Sequence, residues 1–288
     1  MRYCALPRFV AQAPRYAQAQ ASGNYIFPRG PKQSILKHMD DEGIAYAELV
    51  AEAPGIGLYA ETGLHDALKR RYASVPGARL EARIGGKVVD VALPHELVEI
   101  QTRSLGSIQE KILHLACIMP VRIVHPVIVE KLIHRMDPVS GEELSLRRYR
   151  AKKDIYSVFD ELVRASLIVA SPNVSMDIAL VRVREERVRD GSGSWRRKGD
   201  RVLSRELDEV ISCRSLNGPL DWIGLIPDAL PEPYDSASLG EALAIGADRA
   251  RKPLYTLARA GLLEAAGSSG RRKRYAVARH LRELESVT

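Results

Sequence analysis

The chain has 288 residues, enough for about two domains of ordinary size. Its 43 lysines and arginines exceed its 36 acidic residues, so the formal net charge is +7 and we expect an anionic partner. A hydrophobic share of 45% excludes an acidic disordered protein, and no apolar run reaches the roughly 18 residues of a membrane span. The basic N-terminus is not followed by an apolar core, which argues against a secretory signal and favours a cytoplasmic protein.

Residues 1–55 lack sustained periodicity and are predicted to form an N-terminal extension, with short helices over 31–39 and 44–53. The three cysteines lie far apart and form no CxxC motif, so neither a disulfide framework nor a zinc knuckle is indicated. We expect three free thiols, at Cys4, Cys117 and Cys213.

A regular pattern begins at residue 61. An amphipathic helix is predicted from four residues spaced at i, i+3, i+7 and i+11, which are Glu61, Leu64, Leu68 and Tyr72. The dipeptides Gly85-Gly86 and Pro94-His95 then mark two hairpin turns. Three antiparallel strands are therefore predicted over 79–84, 87–93 and 97–102.

The next elements alternate between helix and strand. Pro126 restricts one of the strands to an edge, a bulge or two short pieces. The predicted elements are a helix opened by the capping box Ser107 and Glu110, a strand over 121–129, a helix over 154–170, a strand over 176–189 and a short helix over 204–211. This order indicates a mixed α/β core, and the absence of GxGxxG and GxxxxGK[ST] motifs argues against a nucleotide-binding Rossmann or P-loop unit.

Two acidic residues are predicted to face each other across the second hairpin. With Pro94 and His95 in the turn, facing residue numbers sum to 189, which places Asp90 opposite Glu99. Like charges at that spacing repel unless something neutralises them, and a divalent cation would do so. Magnesium prefers oxygen ligands and is commonly held by one or two carboxylates together with substrate phosphate. The hairpin is therefore a candidate metal site.

Other residues bear on this site. Glu61 lies on the apolar stripe of the preceding helix and is a candidate third ligand, although it could instead stabilise the first helical turn. The pair itself could be a solvated sheet face, with an apolar opposite face formed by Val89, Val91, Val98 and Ile100. His65 and His95 are either substrate contacts or structural residues.

A glutamate on a helix, followed by Val-Val-Asp-Val-Ala-Leu and then Glu-Ile-Gln, resembles the PD-(D/E)xK nuclease superfamily. The resemblance covers roughly residues 56–212. It implies a restriction-endonuclease-like mixed sheet flanked by helices, and a phosphodiesterase that depends on Mg²⁺, with Mn²⁺ as a substitute. Asp90 and Glu99 would be the metal ligands, and Glu61 an outer or third ligand.

Gln101 departs from this family, which usually has lysine at that position. Some members tolerate glutamine, so the resemblance implies that Glu61, Asp90, Glu99 and Gln101 form the catalytic set. Activation of water would then depend on the metal, on substrate phosphate or on a lysine from elsewhere. The candidate lysines are Lys87 and Lys111.

Two basic runs are candidates for contacts with a nucleic-acid backbone. One run covers residues 147–153, and the other, 195–198, includes Trp195, which could stack on a base. A solvated charged face is the alternative for both runs. The proline-rich stretch over 213–230 is predicted to connect this core to a second domain over 231–288.

Residues 236–288 hold ten basic and five acidic residues. Helices are predicted over 239–245 and 248–260, followed by a hairpin with a basic returning strand over 271–277. This order resembles the winged helix-turn-helix family, in which the second helix enters the major groove and the wing contacts the backbone. Pro253 is a misfit inside such a helix, which could start at Pro253 itself. The implied DNA contacts are Arg249, Arg251, Lys252, Arg271, Arg272, Lys273 and Arg274.

These observations predict a magnesium-dependent DNA endonuclease that a C-terminal winged helix positions on duplex DNA, with a homodimer as the form that would cut both strands. One alternative, favoured by Gln101, is an inactive nuclease-like regulator or recruitment protein. Another is a structure-specific or RNA-directed nuclease in repair, transposition or phage defence. The C-terminal module could also bind protein, although its basic wing favours nucleic acid.

Overall fold

The computed structural model describes residues 51–52, 63–192 and 199–285. Cys4, Glu61 and the 195–198 run lie outside the described residues, as does the predicted helix over 31–39. The predicted helix over 44–53 is wrong at its end, because Ala51–Glu52 forms a short strand. Cys117 and Cys213 are free thiols, as predicted.

Within these residues, one mixed sheet runs through the molecule in the order β1-β2-β3-β4-β5-β7-β8, and β6 also pairs with β5. The ladders β4–β5 and β5–β7 are parallel, and the other ladders are antiparallel. The strands are β1 (Ala51–Glu52), β2 (Arg79–Ile84), β3 (Lys87–Ala92), β4 (Leu97–Ile100), β5 (Val121–Met136), β6 (Glu143–Arg150), β7 (Val174–Arg189) and β8 (Asp200–Leu216).

Helices cover both faces of the sheet, so the α/β class is confirmed. The helix α1 packs on one face, where Leu64 and Leu68 join a core with Val98 and Val181. The other helices pack on the opposite face, where Phe159 and Trp222 meet edge to face at 5.7 Å between ring centroids. The helices are α1 (Gly63–Tyr72), α2 (Leu105–Ala116), a 3₁₀ turn (Ile155–Val158), α3 (Phe159–Leu162), α4 (Ser166–Ala170), α5 (Pro219–Ile223), α6 (Ser236–Ala242), α7 (Ala247–Arg259) and α8 (Arg279–Glu285).

The two predicted hairpins are confirmed. Gly85 and Gly86 both have positive φ, 53° and 77°, as a two-residue turn between right-twisted strands requires. The second turn closes with a hydrogen bond from the Leu93 amide to the Glu96 carbonyl, so Pro94 and His95 occupy its centre. Strand pairing around both turns therefore follows the register expected from the sequence.

Three helix predictions are corrected. Residues 204–211 lie inside β8, because pairing with the long strand β7 outweighs their local helix propensity. The helix α2 begins at Leu105, so Ser107 lies in its first turn and donates a hydrogen bond to the Ser104 carbonyl instead of capping it. The predicted helix over 154–170 is divided into the 3₁₀ turn, α3 and α4.

The strand β5 is longer than predicted and continues to Met136. The strand β7 borders it along its whole length, whereas on the other side β4 pairs only as far as Val124 and β6 begins at Glu130. No described strand fills the space between them, and Pro126 lies there. Proline cannot donate a backbone hydrogen bond. Of the three alternatives predicted for this strand, two short pieces are not observed, whereas a local edge lies at Pro126 and a register shift follows between Ile128 and Glu130.

The C-terminal elements share a core with the sheet. After α6 and α7, a hairpin is formed by β9 (Leu263–Ser269) and β10 (Arg272–Val277). Leu254 and Leu257 of α7 belong to the same hydrophobic cluster as Phe159 of α3. Pro253 lies in the interior of α7, which starts at Ala247 and not at the proline. The C-terminal elements therefore pack directly against α3 and α4, the helical layer on this face of the sheet.

No helix among the described residues is long and apolar enough to cross a bilayer.

Candidate active site

The register of the second hairpin, extended by one position, agrees with the predicted opposition of the two acids. Val91 pairs with Val98 and Ala92 with Leu97, so the same register places Asp90 opposite Glu99. The Asp90 carboxylate accepts a 2.7 Å hydrogen bond from the Ile100 amide, in place of a backbone carbonyl. Its side chain therefore lies between β3 and β4, where the regular ladder stops.

Glu99 is a buried acid with incomplete compensation. It is 6% exposed, and its Oε1 atom accepts a 2.5 Å hydrogen bond from Lys111 Nζ on α2. Its Oε2 atom is buried and has no hydrogen-bond partner among the described residues. Burial and, to a lesser extent, the charge of Asp90 outweigh the opposing effect of Lys111, and together they raise the pKa of Glu99 to about 7.

The backbone beside Asp90 is strained. Glu81 on β2 lies opposite Asp90 in the strand register and has a left-handed φ of 52°, which is uncommon for a residue with a side chain. The predicted apolar face is also interrupted here, because Val89 joins the core under α2 whereas Val91 joins the core under α1. Backbone strain of this kind is often found at functional sites.

Two further groups flank the pair. His65 on α1 places Nε2 3.4 Å from the Asp90 carboxylate. Gln101 donates its side-chain amide to the Arg103 carbonyl, and its own carbonyl accepts a 2.7 Å hydrogen bond from His125 Nδ1. Burial lowers the pKa of His125, so the ring is neutral, with its proton on Nδ1.

The pair fits a hard divalent cation in part. Asp90 and Glu99 supply oxygen donors, and the buried Glu99 Oε2 would gain a partner in a bound cation. The described residues contain no group of three His, Cys, Asp or Glu arranged to hold a metal ion. Glu61, the predicted third ligand, lies outside them. Two carboxylates suit magnesium if waters and substrate phosphate complete its shell.

Sequence comparison gives this fold a family. Residues 62–217, more than half of the chain, match the family described as a domain of unknown function, DUF8091. The chain belongs to the DUF8091 family. An uncharacterized protein of Treponema pallidum (strain Nichols) is 30% identical over 219 residues, which cover 75% of this chain and 84% of that protein. No solved structure matches the chain.

The DUF8091 region contains Asp90, Glu99, Gln101 and Lys111. Of the two lysines considered from the sequence, Lys111 contacts Glu99, whereas Lys87 is exposed at the start of β3. His95 is also exposed, in the turn. The sequence could predict this contact of Lys111. The helix α2 connects β4 to the parallel strand β5, so it must cross the sheet near Glu99 on β4.

The DUF8091 region also contains a charged arm, the part of the sheet formed by residues 130–136, 143–150, 182–189 and 200–209. Most of its cations are paired with acids, and Arg148 and Arg150 of the predicted phosphate-binding run both contact Glu130. Glu185 is 0% exposed and is surrounded by Lys131, Arg187 and Arg205. Burial alone would raise the pKa of Glu185, but these three cations outweigh it and lower the pKa to about 2.

The predicted DNA contacts lie beyond the DUF8091 region, and five of the seven have partners within the chain. Arg249 and Lys252 bind Asp154 and Asp160, 2.7 and 2.6 Å away in the helical layer. Arg251 pairs with Asp248, Arg272 with Asp235, and Arg274 donates to the Pro233 carbonyl. Arg271 and Lys273, at the tip of the β9–β10 hairpin, are exposed.

Proposed function

We propose that the chain is a metal-dependent endonuclease that hydrolyses phosphodiester bonds in DNA at Asp90 and Glu99. The observation that carries the proposal is the buried Glu99 carboxylate, with Asp90 opposite it, Lys111 at 2.5 Å and one oxygen without a hydrogen-bond partner in the described part of the chain. Leaving a buried oxygen of this kind without a partner is costly, so a ligand that satisfies it offers a physical reason for the arrangement.

The order of elements supports the proposal. The helix α1, three antiparallel strands, α2 and the parallel strand β5 follow each other as in the nuclease core suggested by the sequence. The restriction-endonuclease-like fold is part of the proposal. A winged helix formed by α6, α7 and the β9–β10 hairpin is its second part, and the exposed Arg271 and Lys273 are the residues best placed to contact a DNA backbone.

Each residue near the pair has a defined task in this proposal. Bound magnesium would activate water and stabilise charge on the leaving oxygen. Asp90 and Glu99 would hold the cation, and Lys111 fixes the orientation of the Glu99 carboxylate through Oε1. In hydrolysis the water oxygen bonds to phosphorus as the phosphorus–oxygen bond to the leaving group breaks, and the leaving oxygen takes up a proton.

The test is cleavage of plasmid, single-stranded and branched DNA with Mg²⁺ or Mn²⁺. We expect Asp90→Asn and Glu99→Gln each to reduce the rate by more than about 100-fold, because each removes a metal-binding charge. Lys111→Met should reduce it by about 10- to 100-fold, because Lys111 orients the Glu99 carboxylate. The matched control is Glu110→Gln, which removes an exposed carboxylate from α2 next to Lys111 and should leave the rate unchanged.

Binding of manganese, measured by electron paramagnetic resonance, gives a readout that does not depend on cleavage. Loss of binding in Asp90→Asn and Glu99→Gln, but not in Glu110→Gln, is expected. DNA binding without cleavage by the wild type in either metal would contradict the endonuclease proposal and favour the inactive, regulatory alternative.

A further inference from the structure

A cleft of about 300 Å³ opens beside the carboxylate pair. Its floor is residues 125–128 of β5, the stretch that has a strand on one side only. Leu64 lines it from α1, and the next residue, His65, contacts Asp90. Thr102 lines it from the chain just after Gln101. The cleft therefore borders the candidate active site through residues adjacent in sequence to His65 and Gln101.

Two cations stand on opposite sides of this cleft. Arg103 follows the end of β4, and Lys153 follows the end of β6, so the interruption of the sheet separates them. Both are exposed, and neither has an ion-pair partner among the described residues. This distinguishes them from most of the cations in the charged arm, which are paired with acids.

The other charged groups that line the cleft are already engaged. Arg205 contacts the buried Glu185, and Asp160 pairs with Lys252 at 2.6 Å. Glu161 accepts a 2.7 Å hydrogen bond from the Ser104 amide. That hydrogen bond leaves the negative charge of Glu161 in place, and it offsets one of the two unpaired cations. Arg103 and Lys153 therefore leave the cleft with a net positive charge.

The rest of the lining suits a nucleoside. Leu64, Pro126 and Ile128 give an apolar surface against which a base can lie. His125, 5% exposed, donates through Nδ1 to the Gln101 carbonyl, which leaves Nε2 as a hydrogen-bond acceptor for a ligand. Apolar walls with a few convergent polar groups are typical of small-molecule and cofactor sites.

We propose that this cleft holds one unpaired nucleotide of the substrate strand, with its phosphate between Arg103 and Lys153. The inference rests on the proposed nuclease function and specifies its substrate. A volume of about 300 Å³ lies at the lower limit for a ligand pocket, so the cleft accepts one nucleotide and excludes a duplex. The substrate would therefore be single-stranded, or a duplex with a nucleotide displaced next to the scissile phosphate.

The experiment measures binding of the full chain to fluorescein-labelled single-stranded and duplex oligodeoxynucleotides by anisotropy, in EDTA so that no cleavage occurs. Arg103→Glu and Lys153→Glu should each weaken binding of the single strand at least 10-fold and weaken duplex binding less. Each lost phosphate contact should also reduce the slope of log K against log salt by about 0.7. The control is Arg164→Glu, which makes the same charge change at an exposed position outside the cleft and should alter affinity less than twofold.

Several results would overturn the proposal. They are no binding of the single strand by the wild type, an equal loss in Arg164→Glu, or equal loss for duplex and single strand. A nucleoside monophosphate that binds the cleft while the oligonucleotide does not would identify a small-molecule site instead.

Failure of the nuclease proposal gives a different pattern. If single-strand binding needs Arg103 and Lys153 but no metal supports cleavage, the cleft assignment stands and the endonuclease does not. If cleavage needs Asp90 and Glu99 but kcat/KM for single strands is unchanged in Arg103→Glu and Lys153→Glu, the endonuclease stands and the cleft assignment fails.

Discussion

Two buried glutamates of the same sheet have opposite environments. Glu185, in the charged arm, is surrounded by three cations, and its pKa is lowered to about 2. Glu99 has one cation, Lys111, an acid opposite it and an oxygen that no described residue satisfies, and its pKa is raised to about 7. A buried carboxylate that is surrounded by cations stabilises the fold. A buried carboxylate with too few partners can instead bind a cation or another ligand through its unpartnered oxygen.

The largest effect that separates the two sites is on stability. Glu185→Gln leaves Lys131, Arg187 and Arg205 clustered without their acid, so the free energy of unfolding should fall by about 3 kcal/mol. Urea denaturation followed by circular dichroism measures it. Glu186→Gln, one residue along β7, should change stability by less than about 1 kcal/mol. If the two variants lost the same unfolding free energy, the three cations around Glu185 would not account for its contribution to stability.

The two sites should also respond to pH in opposite directions. The folded-state pKa of Glu99 is raised, so its contribution to stability is present below about pH 4.5 and is lost as pH rises to about 7. That of Glu185 is lowered, so its contribution is present above about pH 4.5 and is lost as pH falls towards 2. When the pKa of a carboxyl differs by 1 between the folded and unfolded protein, the free energy of unfolding changes by about 1.4 kcal/mol across that range of pH.

Urea unfolding of the metal-free protein between pH 3 and 8 tests this. Glu99→Gln should flatten the profile between pH 4.5 and 7, and Glu185→Gln should flatten it below pH 4.5. If the free energy of unfolding of Glu99→Gln still changed with pH between 4.5 and 7 as it does in the wild type, the raised pKa assigned to Glu99 would be contradicted.

The smallest effect is expected where a pair is exposed. Lys252 and Asp160 lie 2.6 Å apart, but their side chains are 47% and 55% exposed. Solvent screens such a pair, so Lys252→Ala should cost less than about 1 kcal/mol of unfolding free energy. Thermal denaturation at low and high salt checks this. A loss as large as that of Glu185→Gln would mean that pairing, and not burial, determines the contribution.

Local signals in the sequence predicted the parts of the site that lie close together in the chain. The turn at Pro94 and His95 fixes the register of β3 and β4, so the opposition of Asp90 and Glu99 follows from counting residues. The strand β8 was missed over 204–211, because its charged side chains depend on partners in β7 that are about 20 residues away.

Non-local pairing explains what the sequence did not reveal about the cleft. It forms because β6 joins β5 at Glu130, six residues beyond the last residue paired with β4. The residues near Arg103 and Lys153 contain no pattern that predicts where along β5 the pairing with β4 ends and the pairing with β6 begins. The role of His125 was missed for the same reason, since its partner is a carbonyl 24 residues earlier. The left-handed φ of Glu81 had no sequence signal, because glutamate rarely adopts that conformation.

The shared core of the sheet and the C-terminal elements has a consequence for biosynthesis. A ribosome completes strands β1 to β8 and Phe159 before it makes Leu254, Leu257 and Leu281. These leucines belong to the hydrophobic core on the Phe159 face of the sheet. Until those leucines emerge, part of that face is exposed to water and to neighbouring nascent chains. A stop codon between β8 and α6 would therefore yield an aggregation-prone product in place of a shortened, working protein.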